Sequence, residues 1–111
     1  MKRYCLALDL KNDPLLISKY IDHHKDVWPE ISQSIKDSGI IEMHIYNFID
    51  RLFMIIETED DFTFEKKTKM DSQNPYVIKW EEMMSKFQKP ILIDEDGEKW
   101  GLMKKIYELK K

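Results

Sequence analysis

Hydrophobic positions along the chain change period several times, and each change marks an element. Residues 3–10, RYCLALDL, alternate and suit a pleated, half-buried surface, so they predict a first strand that the polar cluster at 11–13 ends. Asp13 before Pro14 is a helix N-cap followed by a ring-fixed first helical residue, and Gly39 supplies a C-terminal stop. Between them Ile17, Tyr20, Ile21, His24, Val27, Trp28, Ile31 and Ile35 recur at spacings of three and four, the stripe of one long helix. Pro29 offers no N–H to the Lys25 carbonyl and its ring crowds that carbonyl, so the helix is expected to kink or split near Trp28.

The segments 40–48, IIEMHIYNF, and 51–59, RLFMIIETE, predict two strands joined by a tight turn at Ile49 and Asp50. Asp60 or Asp61 is the expected cap of a short helix through Met70. Asn74 and Pro75 cap a second helix whose Val77, Trp80, Met84 and Phe87 share a face. Residues 89–100 are expected to be loop, with a turn at Asp96 and Gly97, and 100–109 to form the last strand. Repeats, low-complexity linkers and internal boundaries are absent, so residues 1–111 are expected to form one domain.

Strand, helix, strand, strand, helices, strand is the order of an α+β, ferredoxin-like fold, an antiparallel sheet with its helices on one face. The other face should then be wet. The third strand contradicts this, because Leu52, Met54 and Ile56 alternate with the equally apolar Phe53 and Ile55, which calls for burial on both sides. A second copy packed sheet against sheet about a two-fold axis removes the exposed apolar face from water. The expected assembly is therefore a homodimer through the sheet face, a dimeric α/β barrel.

Charge and cysteine content narrow the setting. The 18 Lys and Arg stand against 21 Asp and Glu, a net charge of −3, without a basic block to track nucleic-acid phosphates. The N-terminal run MKRYCLALDLKND alternates and turns acidic, unlike a secretory leader, and no stretch approaches membrane-spanning length. Nucleic acid and membrane are thus excluded as partners. The one cysteine, Cys5, forbids an internal disulfide and fits a reducing cytoplasm.

His24 is the residue in the wrong place. An imidazole in an apolar stripe costs free energy unless its nitrogens find partners, so it is either a core histidine bonded to a backbone carbonyl or the working group of a cavity between helix and sheet. In a cavity, a ring that titrates near neutrality both gives and takes protons. Tyr20 lies one turn earlier on the same face and can bring its hydroxyl to the same place. His23 should face solvent and His44 the dimer, so neither pairs with His24, and adjacent histidines on a helix diverge too far to share a metal without a supporting ligand. Metal ligation, phosphate-loop chemistry and a Ser or Cys nucleophile are not expected. Trp80 reads as core, or as a flat platform for the C–H face of a sugar ring. Glu81, at the border of that helix's stripe, can reach either a cavity or water.

Taken together, KRYCLALDLK, the run Tyr20, His24, Trp28, Pro29 and Glu30, the Asn-Pro at 74–75 and the Lys-Trp at 79–80 resemble the L-rhamnose mutarotases, over residues 2 to 108. That resemblance implies a dimeric ferredoxin-like domain that interconverts the α and β anomers of a 6-deoxyhexose, a monosaccharide substrate, without any cofactor. It implies His24 as the proton donor and Tyr20 and Trp80 as residues that hold the sugar. Two substrate-contacting positions depart from the family's pattern: Met43 stands for a strand tyrosine and Glu81 for a second tryptophan. Losing a hydroxyl and a ring while gaining a carboxylate changes what the site can bond, so L-fucose stands beside L-rhamnose as the sugar. A rival class uses the same fold: cofactor-free oxygenases and small-ligand binding domains, whose aromatic ligands call for larger and more apolar cavities.

Overall fold

The computed structural model describes residues 1–91 and 99–110. Its elements run β1 (Lys2–Leu10), α1 (Pro14–His23), α2 (Pro29–Asp37), β2 (Ile40–Phe48), β3 (Arg51–Thr58), α3 (Phe64–Ser72), α4 (Pro75–Ser85), β4 (Gln88–Lys89) and β5 (Gly101–Leu102). The strands form one antiparallel sheet in the order β2, β3, β1, β4, with β5 also on β1. This is the α+β, ferredoxin-like arrangement, with its helices on one face of the sheet.

The long stripe of residues 14–38 becomes two helices instead of one. Asp13 Oδ1 accepts the N–H groups of Leu15 at 2.9 Å and Leu16 at 3.4 Å, and Pro14 fills the first helical position, so α1 starts where its cap dictates. Trp28 precedes a proline, and the ring of Pro29 excludes the helical region for the residue before it; its ψ is 137°. The chain therefore leaves the helix after His23 and begins again at Pro29. Gly39, with φ at +98°, then turns the chain out of α2 in a conformation that a side chain resists.

Alternation along β1 and β3 sorts the sheet into two faces. Leu8, Leu10 and Leu52 are fully buried with Tyr20, Ile31, Val77, Trp80, Met84 and Phe87, and Leu6, Ile40, Ile56 and Phe62 form an adjoining cluster. Burying one such aliphatic side chain stabilises the fold by about 1.5–3 kcal/mol. Cross-strand register lines up Cys5, Ile55 and His44 in one row across β1, β3 and β2, and Ala7, Phe53 and Tyr46 in the next, on the opposite face. There Phe53 and Ile55 are half-buried and Tyr46 is exposed, while Arg3–Glu57 and Arg51–Asp9, each at 2.8 Å, border the apolar band with charge.

Three expectations need correction. Helix α3 is capped by Thr63, whose hydroxyl accepts the Lys66 N–H at 3.1 Å, while Asp60 is held by the N-terminal ammonium at 2.7 Å. The last strand does not run to 109. Only Gly101 and Leu102 pair with β1, and after the Met103 N–H reaches the Cys5 carbonyl at 2.8 Å no described backbone takes up the ladder. Residues 104–110 thus form an arm without regular secondary structure, on which Ile106, Tyr107 and Leu109 are exposed. The loop expected at 89–100 begins instead with a short pairing of Gln88 and Lys89 to Leu10 and Asp9, and its turn at Asp96 and Gly97 lies outside the described residues. The hairpin turn falls where expected, with Ile49 at φ +57° and the Asn47 amide donating to the Ile49 and Arg51 carbonyls.

Candidate active site

The split at Pro29 decides where His24 ends up. As the C-cap of α1 it stands at the end of a helix, with its backbone N–H on the Ile21 carbonyl at 3.0 Å, and its side chain is only half-buried. Ring Nδ1 lies 2.9 Å from the Tyr20 carbonyl oxygen. A carbonyl can only accept, so Nδ1 carries the proton and Nε2 keeps its lone pair in the neutral ring. Burial holds the imidazole below its ordinary value of 6.5, with the Tyr20 carbonyl and the Glu81 charge working the other way. At neutral pH the ring is thus an uncharged base with one nitrogen committed and the other bonded to no described residue.

Aromatic rings surround it. Tyr20 lies 4.4 Å away centroid to centroid and Trp80 5.7 Å away, edge-on, while Trp28 meets Trp80 at 5.2 Å, also edge-on. The ring that the stripe pattern would bury in aliphatic packing therefore stands in a polar-edged aromatic corner, with part of its surface in water. Tyr20 is buried, and desolvation pushes its phenol up to about 12, offset in part by the neighbouring Gln88 amide. It stays a neutral hydroxyl throughout the physiological range, a hydrogen-bonding group and not a base. Trp80 is placed by α4, whose start is fixed by Asn74 Oδ1 accepting from Tyr76 at 3.0 Å and Val77 at 3.4 Å.

Glu81, next along α4, is half-exposed, and its Oε2 lies 3.0 Å from Lys99 Nζ. The same ammonium donates to the Glu81 carbonyl at 2.9 Å and to the Ser85 hydroxyl, so the carboxylate is a fixed acceptor and not a free side chain. Met43 sits on the helix-facing side of β2, packed on the Leu6, Ile40, Ile56 and Phe62 cluster, so the structure gathers Tyr20, His24, Trp80 and Glu81 and leaves Met43 in the adjoining one. His23 is half-buried against Phe87 at 5.6 Å instead of facing solvent. His44 lies on the opposite sheet face, 3.7 Å from Glu42. Among the described residues no three His, Cys, Asp or Glu side chains converge as a metal site. Sequence reasoning missed Trp28 as a wall of the site, although it lies in the same motif, and missed Lys99 and Gln88, for which the pattern held no signal.

The family model for L-rhamnose mutarotase matches residues 3–109. The chain belongs to the L-rhamnose mutarotase family. The L-fucose mutarotase of Xanthomonas campestris pv. campestris is 36% identical over 111 residues, spanning 98% of this chain and 89% of that relative. Among solved structures, an L-rhamnose mutarotase from Formosa agariphila superimposes with a TM-score of 0.73 at 19% identity, over 99% of this chain and 100% of that one. A dimeric ferredoxin-like protein from an uncultured marine organism gives 0.63 at 17% identity, over 98% of each chain. At such identities the two structures bear on the fold, and the family membership establishes sugar anomer interconversion as the class of chemistry. Among the described residues no helix is long and apolar enough to cross a membrane.

Proposed function

We propose that the protein interconverts the α and β anomers of a 6-deoxy-L-hexose, with Nε2 of His24 moving both protons. The observation that carries this reading is the His24 ring itself: half-buried, neutral, with Nδ1 spent on the Tyr20 carbonyl and Nε2 free among Tyr20 and Trp80. Ring opening removes the proton from the anomeric hydroxyl and adds one to the ring oxygen as the bond between that oxygen and the anomeric carbon breaks. Both oxygens are attached to the same carbon, so one nitrogen can take the first proton and deliver it to the second. The anomeric carbon becomes an aldehyde, rotates about its bond to the next carbon, and the reverse transfers close the other anomer. Tyr20 holds a sugar hydroxyl, Trp80 offers its ring, and Glu81, tied to Lys99, accepts from a hydroxyl and leaves proton transfer to His24. No cofactor or metal is required.

L-Rhamnose is the sugar to which the family pattern points. L-Fucose is the second reading, favoured by the 36% identical Xanthomonas relative and by Glu81 in place of the family's second tryptophan. The two sugars differ in configuration at C2 and C4, where a fixed carboxylate discriminates by geometry. Saturation-transfer NMR on both, side by side, tests the assignment. Exchange of neither sugar above the protein-free rate overturns the reading, and a larger excess on one names the substrate.

The protein acts, in this reading, as a homodimer through the sheet face in the reducing cytoplasm. Two features of one chain support a second copy: the apolar band of Phe53, Ile55 and Tyr46, bordered by ion pairs, and an unpaired arm with Ile106 at 91%, Tyr107 at 74% and Leu109 at 80% exposure. Strand β2 has a neighbour on one side only, so the chain presents both an unpaired edge and an unpaired arm. Each can be satisfied by the other only between two copies.

A further inference from the structure

Gln88 is the one described residue with a buried side-chain polar atom left without a partner. It is 6% exposed, held in β4 by pairing with Leu10, and its Oε1 accepts from no described group. A buried acceptor without a donor costs free energy, and nearly all native proteins avoid it. An apolar residue of equal length would fill the space without that penalty.

The vacancy adjoins the site already described. Tyr20 carries the His24 ring on its face at 4.4 Å and the Gln88 amide at its hydroxyl end. The Tyr20 hydroxyl can donate its proton, and Gln88 Oε1 remains to accept. A sugar hydroxyl is both acceptor and donor, so a single one satisfies both at once.

We propose that Gln88 is a substrate-binding residue, whose unpartnered buried Oε1 takes one hydroxyl of the sugar together with the Tyr20 hydroxyl. The inference rests on the mutarotase reading above and adds to it a contact that neither the motif nor the comparisons assign. It explains why a polar side chain occupies a position that packing alone would fill with methionine or leucine.

The test is Gln88→Met, which keeps the length and removes the amide. The expected result is a paired one: the melting temperature rises, and KM for the preferred sugar increases about tenfold, the loss of one hydrogen bond at a buried site, with kcat within about twofold. A panel of monodeoxy analogues locates the contact, because wild type and variant converge on the analogue that lacks the hydroxyl Gln88 holds. A variant more stable than wild type with unchanged KM overturns the proposal and leaves the amide to a buried water. A variant less stable with unchanged KM overturns it in favour of a structural role. Wild-type protein that exchanges no anomer of any sugar fails the mutarotase reading itself, an outcome distinct from wild-type exchange with a silent Gln88.

Discussion

His24→Gln is the substitution that separates catalysis from binding. The glutamine amide can still donate to the Tyr20 carbonyl, which now accepts from Nδ1 at 2.9 Å, so the end of α1 has no reason to rearrange. What disappears is Nε2, the nitrogen to which both proton transfers are assigned. Because Nδ1 is committed, both proton movements pass through Nε2, and the variant loses the two together. General acid and base catalysis by one positioned group contributes about 10²–10⁴-fold, equivalent to about 2.7–5.4 kcal/mol of barrier at 1.36 kcal/mol per decade. The expected loss in kcat is therefore at least about a hundredfold, with KM nearly unchanged because Tyr20, Trp80 and Glu81 still hold the sugar. Anomerisation is spontaneous, so the assay must read the excess over the protein-free rate; saturation-transfer NMR at several enzyme concentrations gives that excess as a slope. In wild type kcat/KM should fall on the acid side below the ordinary histidine value of 6.5, since burial lowers the ring's value and only the neutral ring takes a proton. A variant that keeps the wild-type slope, or keeps the same acid limb at reduced slope, refutes the assignment of proton transfer to His24.

Three further outcomes follow from the same geometry. Since the folded His24 titrates below 6.5, the folded protein binds fewer protons than the unfolded chain as pH drops past that value; stability is full above 6.5 and erodes below it, and thermal melts from pH 7.5 to 5 should show a slope that His24→Gln reduces. Asn74→Ala removes the cap that starts α4 and should cost about 1 kcal/mol in urea unfolding; an unchanged midpoint would show that the two backbone N–H groups it holds are satisfied by water. Light scattering should give twice the chain mass for the intact protein, and Tyr46→Lys together with Ile106→Lys should give the monomer, whereas a double variant that remains a dimer would place the interface elsewhere than the sheet face.

What the sequence revealed and what it hid divide along local and non-local lines. The caps at Asp13 and Asn74 and the break at Pro29 were legible because each acts on its own few residues: a side-chain oxygen on two N–H groups, a ring on the residue before it. The cap of α3 was not, because Asp60, Asp61 and Thr63 are all capping types, and the N-terminal ammonium that draws Asp60 away comes from the far end of the chain. Alternation across 100–109 suggested a strand that holds only at Gly101 and Leu102, because a strand requires a neighbour and the pattern cannot say whether one exists within the same chain. At the candidate site, the grouping of Tyr20, His24 and Trp80 was legible because two of them share a helix face and all three carry the family's motif. Lys99 and Gln88 were invisible. Lys99 is placed by its contact with the Glu81 carboxylate and Gln88 by its pairing with Leu10, and neither charge nor periodicity encodes such non-local neighbours.

The hairpin between β2 and β3 holds an opening for engineering. Ile49 is a branched side chain in the left-handed region, a conformation that costs a residue of this kind about 1–2 kcal/mol, and most of its surface is in water. In a domain whose whole margin is about 5–15 kcal/mol, one exposed turn residue is thus holding back a measurable part of the heat tolerance. Ile49→Gly would release it at the tip of the hairpin, away from the aromatic corner around His24, yielding a sturdier parent in which damaging active-site variants can still be folded and assayed.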